Sequence, residues 1–388
     1  MLRNQNKKVF TGIRNLFAIA ILLGSMAWLM ASCGDATTED EPLNDSTQSV
    51  SADTSAAARL EPKGPDPEWA PDIKDEMQVV IEKLQSYGAP PLETLTAQEG
   101  RKQPTPTTAV MDVMKEHNIP MPTSMVDTMG KDIPVPGGSV HARIYTPKNG
   151  NDSFPVIVYY HGGGWVIADL DTYDASAKGL AEQTGAVVVS VHYRQGPEHK
   201  FPTAHNDAFA AYQWVLKNTA SIKGDPKRIA VAGESAGGNL AANVSIMARD
   251  KKIMIPLHQL LVYPVANNDM NSESYQKYAA AKPLNKPMVE WMVKNYLPTM
   301  AAAADPRIAL VKANLKGLPP TTIIAAEIDP LTTEGKILSD KLKDAGVEVD
   351  YKLYDGVTHE FFGMATVVPQ AKDAQGYAAG KLKTALKL

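Results

Sequence analysis

A serine lies between small residues in the stretch Gly233-Glu234-Ser235-Ala236-Gly237. The run before it, RIAVAG, is typical of a buried strand, and the run after it, GGNLAANVSIMARD, is typical of a helix. Small residues on both sides allow a sharp turn, which would hold the serine hydroxyl out at the edge of a sheet. The spacing therefore predicts Ser235 as a nucleophile. The amide of Ala236, at the start of the helix, would face the negative charge that develops during attack.

A second glycine-rich stretch, VIVYYHGGGWV, ends a strand-like run in a histidine and three glycines. Consecutive glycines cost backbone entropy, so they need a reason. A flexible loop is one reason, and close approach of a ligand to the backbone amides is the other. An oxyanion needs donors at about 2.7–3.1 Å, which a β-carbon would obstruct. We therefore expect the amides of Gly163 and Gly164 to be oxyanion donors, and His161 to fix the loop by hydrogen bonding rather than act as a base.

A serine nucleophile needs a base, and the base needs an acid that orients it. Two histidines follow Ser235 in the chain, His258 and His359. A structural role suffices for His258, which begins the strand-like run LHQLLVYP, whereas His359 lies in YDGVTHEFF after the last apolar run. The stretch IIAAEIDPL offers two acids. Asp329, in the turn before a proline, is the better candidate, and Glu327 is the fallback.

The segments around these motifs alternate between strand-like and helix-like patterns. FPVIVYY, GAVVVSVHY and PTTIIAAE are apolar on both faces, as strands covered by helices on both sides would be. Helix-like segments such as ASAKGLAEQTG, AHNDAFAAYQWVLKNT and EGKILSDKLKDAG lie between them. The alternation predicts an α/β fold in which a mostly parallel central sheet has helices on both faces.

Together these motifs resemble the hormone-sensitive-lipase family of esterases, within the α/β-hydrolase fold. The resemblance covers most of the chain from about residue 75 onward and is carried by YYHGGGWVIADLDTYD, VAGESAGGNLAANV, AEIDPLTTEG and YDGVTHEFFGM. It implies Ser235 as nucleophile, Asp329 as acid and His359 as base. It also implies a helical cap, for which residues 72–125 and 267–300 fit.

The sequence departs from the family pattern at three places. Gln195-Gly196 stands where the family usually has Leu-Ala, Glu234 where it usually has Asp, and Ala168 where it often has Gly. None of these changes removes a catalytic group. They leave the mechanism unaltered and the range of substrates open.

The resemblance implies a serine carboxylic ester hydrolase that acts on short- to medium-chain acyl esters without a metal or an organic cofactor. A deacetylase of acetylated carbohydrates and an amidase use the same groups and stay open as alternatives. Plant gibberellin receptors resemble this family but have lost the catalytic histidine. A non-catalytic binding protein is therefore a further alternative, which His359 disfavours.

Composition and charge limit which other functions the protein can have. The net charge of −4 offers no basic surface for nucleic acid. Cys33 is the only cysteine, so a disulfide within the chain and a zinc-type Cys/His spacing are both excluded. The sequence leaves the oligomeric state open, a homodimer included.

The N-terminal residues resemble an export signal. Basic residues precede an apolar run of about 16 residues, short for a membrane span, and small residues stand directly before Cys33. This resembles the lipobox of bacterial lipoproteins, and a plain cleaved signal or an uncleaved anchor are the alternatives. We expect residues 1–33 to be a lipoprotein-type signal peptide. A lipidated Cys33 would attach the protein to a membrane of the bacterial cell envelope, on the periplasmic or the surface face.

A polar segment follows the signal. Residues 34–71 are rich in Ser, Thr, Asp, Glu and Pro and poor in apolar residues, a composition that predicts a disordered acidic linker. The catalytic domain is then expected over residues 72–388.

Overall fold

The computed structural model describes residues 60–150 and 153–388. The predicted signal peptide, Cys33 and the linker up to residue 59 lie outside the described residues. No helix within those two ranges is long and apolar enough to cross a membrane.

Eight strands form one sheet. They are β1 (Val126–Val135), β2 (Gly138–Pro147), β3 (Phe154–Tyr160), β4 (Val187–His192), β5 (Gly224–Glu234), β6 (Gln259–Val262), β7 (Thr321–Ile328) and β8 (Val349–Thr358). Their order is β1-β2-β4-β3-β5-β6-β7-β8. β2 pairs antiparallel with β1 and with β4, whereas all other neighbours are parallel. The predicted mostly parallel sheet is confirmed.

Helices cover both faces of this sheet. They are α1 (Asp75–Ser86), α2 (Ala97–Gly100), α3 (Pro106–Glu116), α4 (Asp174–Thr184), α5 (Thr203–Asn218), α6 (Ala236–Asp250), α7 (Glu273–Lys277), α8 (Lys286–Tyr296), α9 (Thr332–Asp344) and α10 (Pro369–Leu386). Every residue of β3 is buried, and its alternate side chains enter two different apolar clusters. One cluster includes side chains of α5, α6 and α9, and the other includes side chains of α1, α4 and α10. Burial on both faces explains why this strand is apolar throughout.

Neither β1 nor α10 was predicted from the sequence pattern. β1 exposes most of its residues, so it lacks the apolar alternation that indicates a strand. α10 packs against the sheet mainly through alanines, which give a weak apolar pattern. β1 exists because it pairs in a hairpin with β2, the next strand in the chain, and α10 exists because it packs against α4, which is distant in the chain.

The packed chain begins earlier than the predicted boundary at residue 72. Leu60 and Ala70 are buried, and the amides of Lys63 and Gly64 donate to the Glu82 carboxylate on α1, at 2.8 and 2.9 Å. Residues 60–71 are therefore attached to the domain, although their composition is that of a linker. Local composition missed this because the partner groups belong to α1.

The two segments predicted as a cap contact each other. Residues 72–125 contribute α1, α2 and α3, and residues 267–300 contribute α7 and α8. The indole Nε1 of Trp291 on α8 donates to the carbonyl of Leu95, just before α2, at 3.0 Å. Arg101, directly after α2, donates to the carbonyls of Val166 and Gly196 and to the carboxylate of Glu198. These bonds hold α2 above the carboxyl ends of the parallel strands.

Candidate active site

Ser235 occupies the turn between β5 and α6 in a strained conformation, with φ 56° and ψ −118°. The flanking glycines are sterically required. A Cβ at Gly233 would overlap the carbonyl of Gly237, and a Cβ at Gly237 would overlap the carbonyl of Tyr160. The strand can therefore reverse into the helix only because these side chains are missing, as the sequence pattern predicts.

Backbone hydrogen bonds hold this strained residue. The amide of Ser235 donates to the carbonyl of Val262 at 2.9 Å, and its carbonyl accepts from the amides of Asn239 and Val265, each at 3.1 Å. The Asn239 side chain continues the network, because it donates to the carbonyl of Val265 and is hydrogen-bonded to His205. The serine is thus fixed from β6 and from α6.

Asp329 and His359 form a buried pair. The Nδ1 atom of His359 lies 2.7 Å from Oδ2 of Asp329, and the other carboxylate oxygen accepts from the Leu331 amide at 2.9 Å. Glu327, the fallback acid, instead accepts from the Gly356 amide at 2.8 Å. The structure therefore places Asp329, and not Glu327, against the imidazole.

The electrostatics of the pair favour a basic imidazole. Burial alone lowers the pKa of His359, but the charge and the hydrogen bond of Asp329 outweigh it, so the pKa lies above its ordinary value of 6.5. Ser235 and His359 line the same cavity. Within the described residues, neither the Ser235 hydroxyl nor Nε2 of His359 makes a hydrogen bond. Such a bond is often long in an unliganded enzyme and shortens in the complex.

Three backbone amides lie around the serine, two at the cavity wall and one at the start of α6. Among the described residues, the N–H groups of Gly163, Gly164 and Ala236 donate no hydrogen bond. Gly163 and Gly164 line the same cavity as Ser235, and Ala236 is the first residue of α6. A helix N-terminus and unpaired amides together favour an anion. This is the arrangement that an oxyanion hole requires.

The loop of residues 161–164 (the HGGG loop) requires glycine for its backbone conformation and packing as well as for the ligand access expected from the sequence. The φ values of Gly163 and Gly164 are +91° and +60°, a region that favours glycine. A Cβ at Gly163 would overlap the carbonyl of Ile167, and one at Gly164 would overlap the side chain of Met292 on α8. Backbone conformation and packing against the neighbouring loop and cap thus require glycine here, in addition to any access for a ligand.

His161 and His258, the two other histidines considered from the sequence, are both buried and hydrogen-bonded away from the triad. His161 is buried, stacks on Tyr193 and donates from Nδ1 to the carbonyl of Gly162 at 2.8 Å. Burial lowers its pKa to about 3, so it stays neutral. His258 is buried and bonds to Thr322 at 3.0 Å. These contacts hold both rings in place within the fold.

The cavity has a volume of about 550 Å³, within the range of small-molecule sites. Its walls come from the HGGG loop, the triad region and both predicted cap segments. Apolar side chains of the cap predominate on one side: Leu84, Pro91, Leu92, Leu284, Met288, Val289, Met292 and Val293. The site can therefore hold a small apolar molecule directly beside Ser235.

Two side chains that line the cavity, Glu360 and Arg101, were not predicted from the sequence. Glu360, next to His359, lines the cavity and accepts from the Tyr173 hydroxyl at 2.5 Å. Arg101 lines the cavity from the cap. The carboxylate directly after the base in YDGVTHEFF was a visible signal for Glu360. No local signal indicated Arg101, because its partners come from distant loops.

Comparison with known proteins agrees with this geometry. The family model described as alpha/beta hydrolase fold matches residues 157–363. The carboxylesterase NlhH of Mycobacterium tuberculosis is 40% identical over 259 residues, which are 66% of this chain and 79% of the relative. An ethyl acetate hydrolase of Pseudomonas putida is 30% identical over 308 residues, which are 78% of this chain and 95% of the relative.

Solved structures give the same result. The crystal structure of a thermostable esterase from Pseudomonas putida is 33% identical, with a TM-score of 0.75, and the match covers 82% of this chain and 99% of that structure. An esterase of Pyrobaculum calidifontis is 34% identical with a TM-score of 0.70, over 78% and 97% of the two chains. The chain belongs to the alpha/beta-hydrolase fold family, among the hormone-sensitive-lipase-like esterases that its motifs indicated.

Proposed function

We propose that this protein is a carboxylic ester hydrolase that uses Ser235, His359 and Asp329 as a catalytic triad. The observation that carries the proposal is the buried His359–Asp329 pair, which shares a cavity with a serine on a strained strand-to-helix turn. The relatives named as carboxylesterase and ethyl acetate hydrolase support the ester as the bond that is cleaved.

The mechanism follows from the geometry. His359 Nε2 takes the proton of the Ser235 hydroxyl as Oγ attacks the ester carbonyl carbon. The carbonyl oxygen becomes an oxyanion, which the amides of Gly163, Gly164 and Ala236 stabilise. The C–O bond to the alcohol then breaks, and the alcohol leaves with the proton from Nε2. Water, deprotonated by the same nitrogen, attacks the carbonyl carbon of the acyl-enzyme. The bond from that carbon to Oγ of Ser235 then breaks, Oγ takes the proton back from Nε2, and the carboxylic acid leaves.

Asp329 orients the base and takes no part in the proton transfer itself. Its carboxylate accepts a hydrogen bond from the Nδ1–H group of His359, which leaves the lone pair on Nε2 toward the cavity, and it stabilises the imidazolium that forms during attack. Because both side chains are buried, this interaction is little screened by solvent.

The cavity favours short- to medium-chain acyl esters. Side chains of both cap segments line its 550 Å³, so the cap limits the length of acyl chain that fits beside Ser235. The HGGG loop supports the same limit, because Gly164 packs against Met292 of the cap.

The test is hydrolysis of p-nitrophenyl esters of increasing acyl length, from acetyl to palmitoyl, by the protein without residues 1–33. Ser235→Ala, checked for folding by circular dichroism, is the matched control. We expect activity that is greatest for short chains and that is lost in the variant. Activity only on a p-nitroanilide would identify an amidase, and activity only on acetylated sugars would identify a deacetylase. An inactive wild type that binds ligands would favour the binding role.

We also propose that Cys33 carries a lipid that attaches the protein to a bacterial envelope membrane. The basic start, the apolar run and the small residues before Cys33 support this proposal. The full chain expressed in bacteria with labelled palmitate should incorporate the label and partition into detergent. Cys33→Ser should lose both properties, and retention of the label in this variant would contradict the proposal.

A further inference from the structure

Two acidic side chains flank the proposed triad, and the mechanism above uses neither of them. Glu234 directly precedes Ser235 and is buried. Glu360 directly follows His359 with 19% of its side chain exposed. The φ of Glu360 is +73°, an uncommon conformation for a residue with a side chain, which turns it to the cavity wall.

Tyrosine hydroxyls hold both carboxyl groups. Tyr159 donates to Oε1 of Glu234 at 2.6 Å, and Tyr263 donates to its other oxygen. Tyr173 donates to Oε1 of Glu360 at 2.5 Å. Each carboxyl group therefore has a fixed orientation. In the described part of the chain, these bonds come from neutral donors, so no lysine or arginine compensates the charge through them.

Glu234 and Glu360 line the same small cavity. Its volume is about 10 Å³, which is close to the space of one water molecule. Ser176 also lines it, and among the described residues its buried hydroxyl has no hydrogen-bond partner. A single water would satisfy this hydroxyl and connect Glu234 with Glu360.

Besides burial, the charge of Glu360 raises the pKa of Glu234, so ionisation of one carboxyl group disfavours ionisation of the other. Burial raises the pKa of Glu234 to about 7, and it raises the pKa of Glu360 above its ordinary value. Both shifts point in the direction that a shared proton requires.

Glu360 is also in direct reach of the base. Its Oε1 atom lies 4.0 Å from Nε2 of His359, the nitrogen that takes the proton from Ser235. The ring of Tyr263, which donates to Glu234, lies with its centroid 4.4 Å from that of His359. Any negative charge on Glu360 therefore favours the protonated imidazole.

We propose that Glu234 and Glu360 share one proton, and that Glu360 is a positioning residue whose fraction of the remaining charge sets how readily His359 takes a proton. This inference rests on the proposed ester hydrolysis. The titratable groups that face Glu360 are His359, Asp329, Glu234, Tyr159, Tyr173, Tyr193 and Tyr263.

Removal of one or the other carboxyl group is expected to shift the pKa of His359 in opposite directions. Glu360→Gln leaves the charge on Glu234, farther from Nε2, so the pKa of His359 falls. Glu234→Gln removes the competitor for the charge, so Glu360 ionises fully and the pKa of His359 rises. The two isosteric variants thus shift the base in opposite directions.

The experiment is the pH profile of kcat/KM for p-nitrophenyl butyrate, whose acidic limb reports the base in the free enzyme. For Glu360→Gln we expect the limb to move to lower pH by about 0.5–1 unit, since the charge removed lies about 4 Å away. For Glu234→Gln we expect it to move to higher pH. Glu182→Gln on α4, whose carboxylate accepts from the Met125 amide, removes one charge elsewhere and should leave the limb in place.

Two further measurements keep the inference testable if either glutamine variant folds poorly. Tyr173→Phe removes the hydroxyl that stabilises the ionised Glu360, so the limb should again move to lower pH. NMR titration of ¹³C-labelled histidine reports the pKa of His359 without any substrate. Shifts of the same sign in Glu234→Gln and Glu360→Gln, or no shift in either, would overturn the inference. A wild type without esterase activity would instead overturn the proposed function, and the NMR titration would still decide the shared proton.

Discussion

Nδ1 of His359 and Oδ2 of Asp329 are 2.7 Å apart, and both side chains are buried where the loops after β8 and β7 meet. The carboxylate therefore fixes the tautomer of the imidazole, because only an Nδ1 proton can satisfy it. The lone pair that remains on Nε2 is the one available to Ser235.

Asp329→Asn should lower kcat for p-nitrophenyl esters by about 10³–10⁴-fold, because the amide favours the wrong tautomer and cannot stabilise the imidazolium. The measurement is steady-state hydrolysis together with a thermal unfolding curve. Glu327→Gln is the matched control, since among the described residues its carboxylate accepts from the Gly356 amide and does not contact His359. A larger loss in the control than in Asp329→Asn would reverse the assignment of the acid.

The acidic limb of kcat/KM should lie above pH 6.5. His359 must be neutral to accept a proton, and its pKa is raised above the ordinary 6.5 by Asp329 despite burial. Activity is therefore lost as the pH falls through this raised value. A pH profile with buffers of constant ionic strength measures it. A limb at or below 6.5 would contradict the electrostatics of the pair.

Gly163→Ala should lower kcat by about 100-fold or more, because its Cβ would overlap the Ile167 carbonyl and displace an oxyanion donor. Gly185→Ala is the matched control. Gly185 ends α4 with φ +71° and has no atom within 4 Å of an added Cβ. The control should cost about 1–2 kcal/mol of unfolding free energy and keep its activity. Equal kcat values for the two variants would argue against donors in this loop.

Arg101→Ala should raise KM and lower the free energy of unfolding by about 2 kcal/mol, because the carbonyls of Val166 and Gly196 lose a charged donor. Thermal unfolding and substrate saturation curves measure both effects. Glu198→Gln removes only the half-exposed ion pair and should cost less than about 1 kcal/mol. An unchanged KM in Arg101→Ala would show that the hydrogen bonds of Arg101 do not position the cap.

Much of the fold was predictable because its signals are local. The buried parallel strands are continuous apolar runs, and α4, α5, α6 and α9 show helical spacing within a few turns. β1 and α10 were not predicted, since one is mostly exposed and the other packs through alanines. Residues 60–71 look like linker, and only their bonds to Glu82 on α1 show that they belong to the domain.

The sequence by itself determined the nucleophile turn, the glycine loop and the candidates for base and acid. These depend on backbone conformation and residue type over a few positions. Only the tertiary structure decided that Asp329 rather than Glu327 contacts His359, that Gly164 packs against the cap, and that Glu234 and Glu360 line one cavity. Such choices depend on which distant strand ends and loops meet in space, and sequence spacing does not contain that distance.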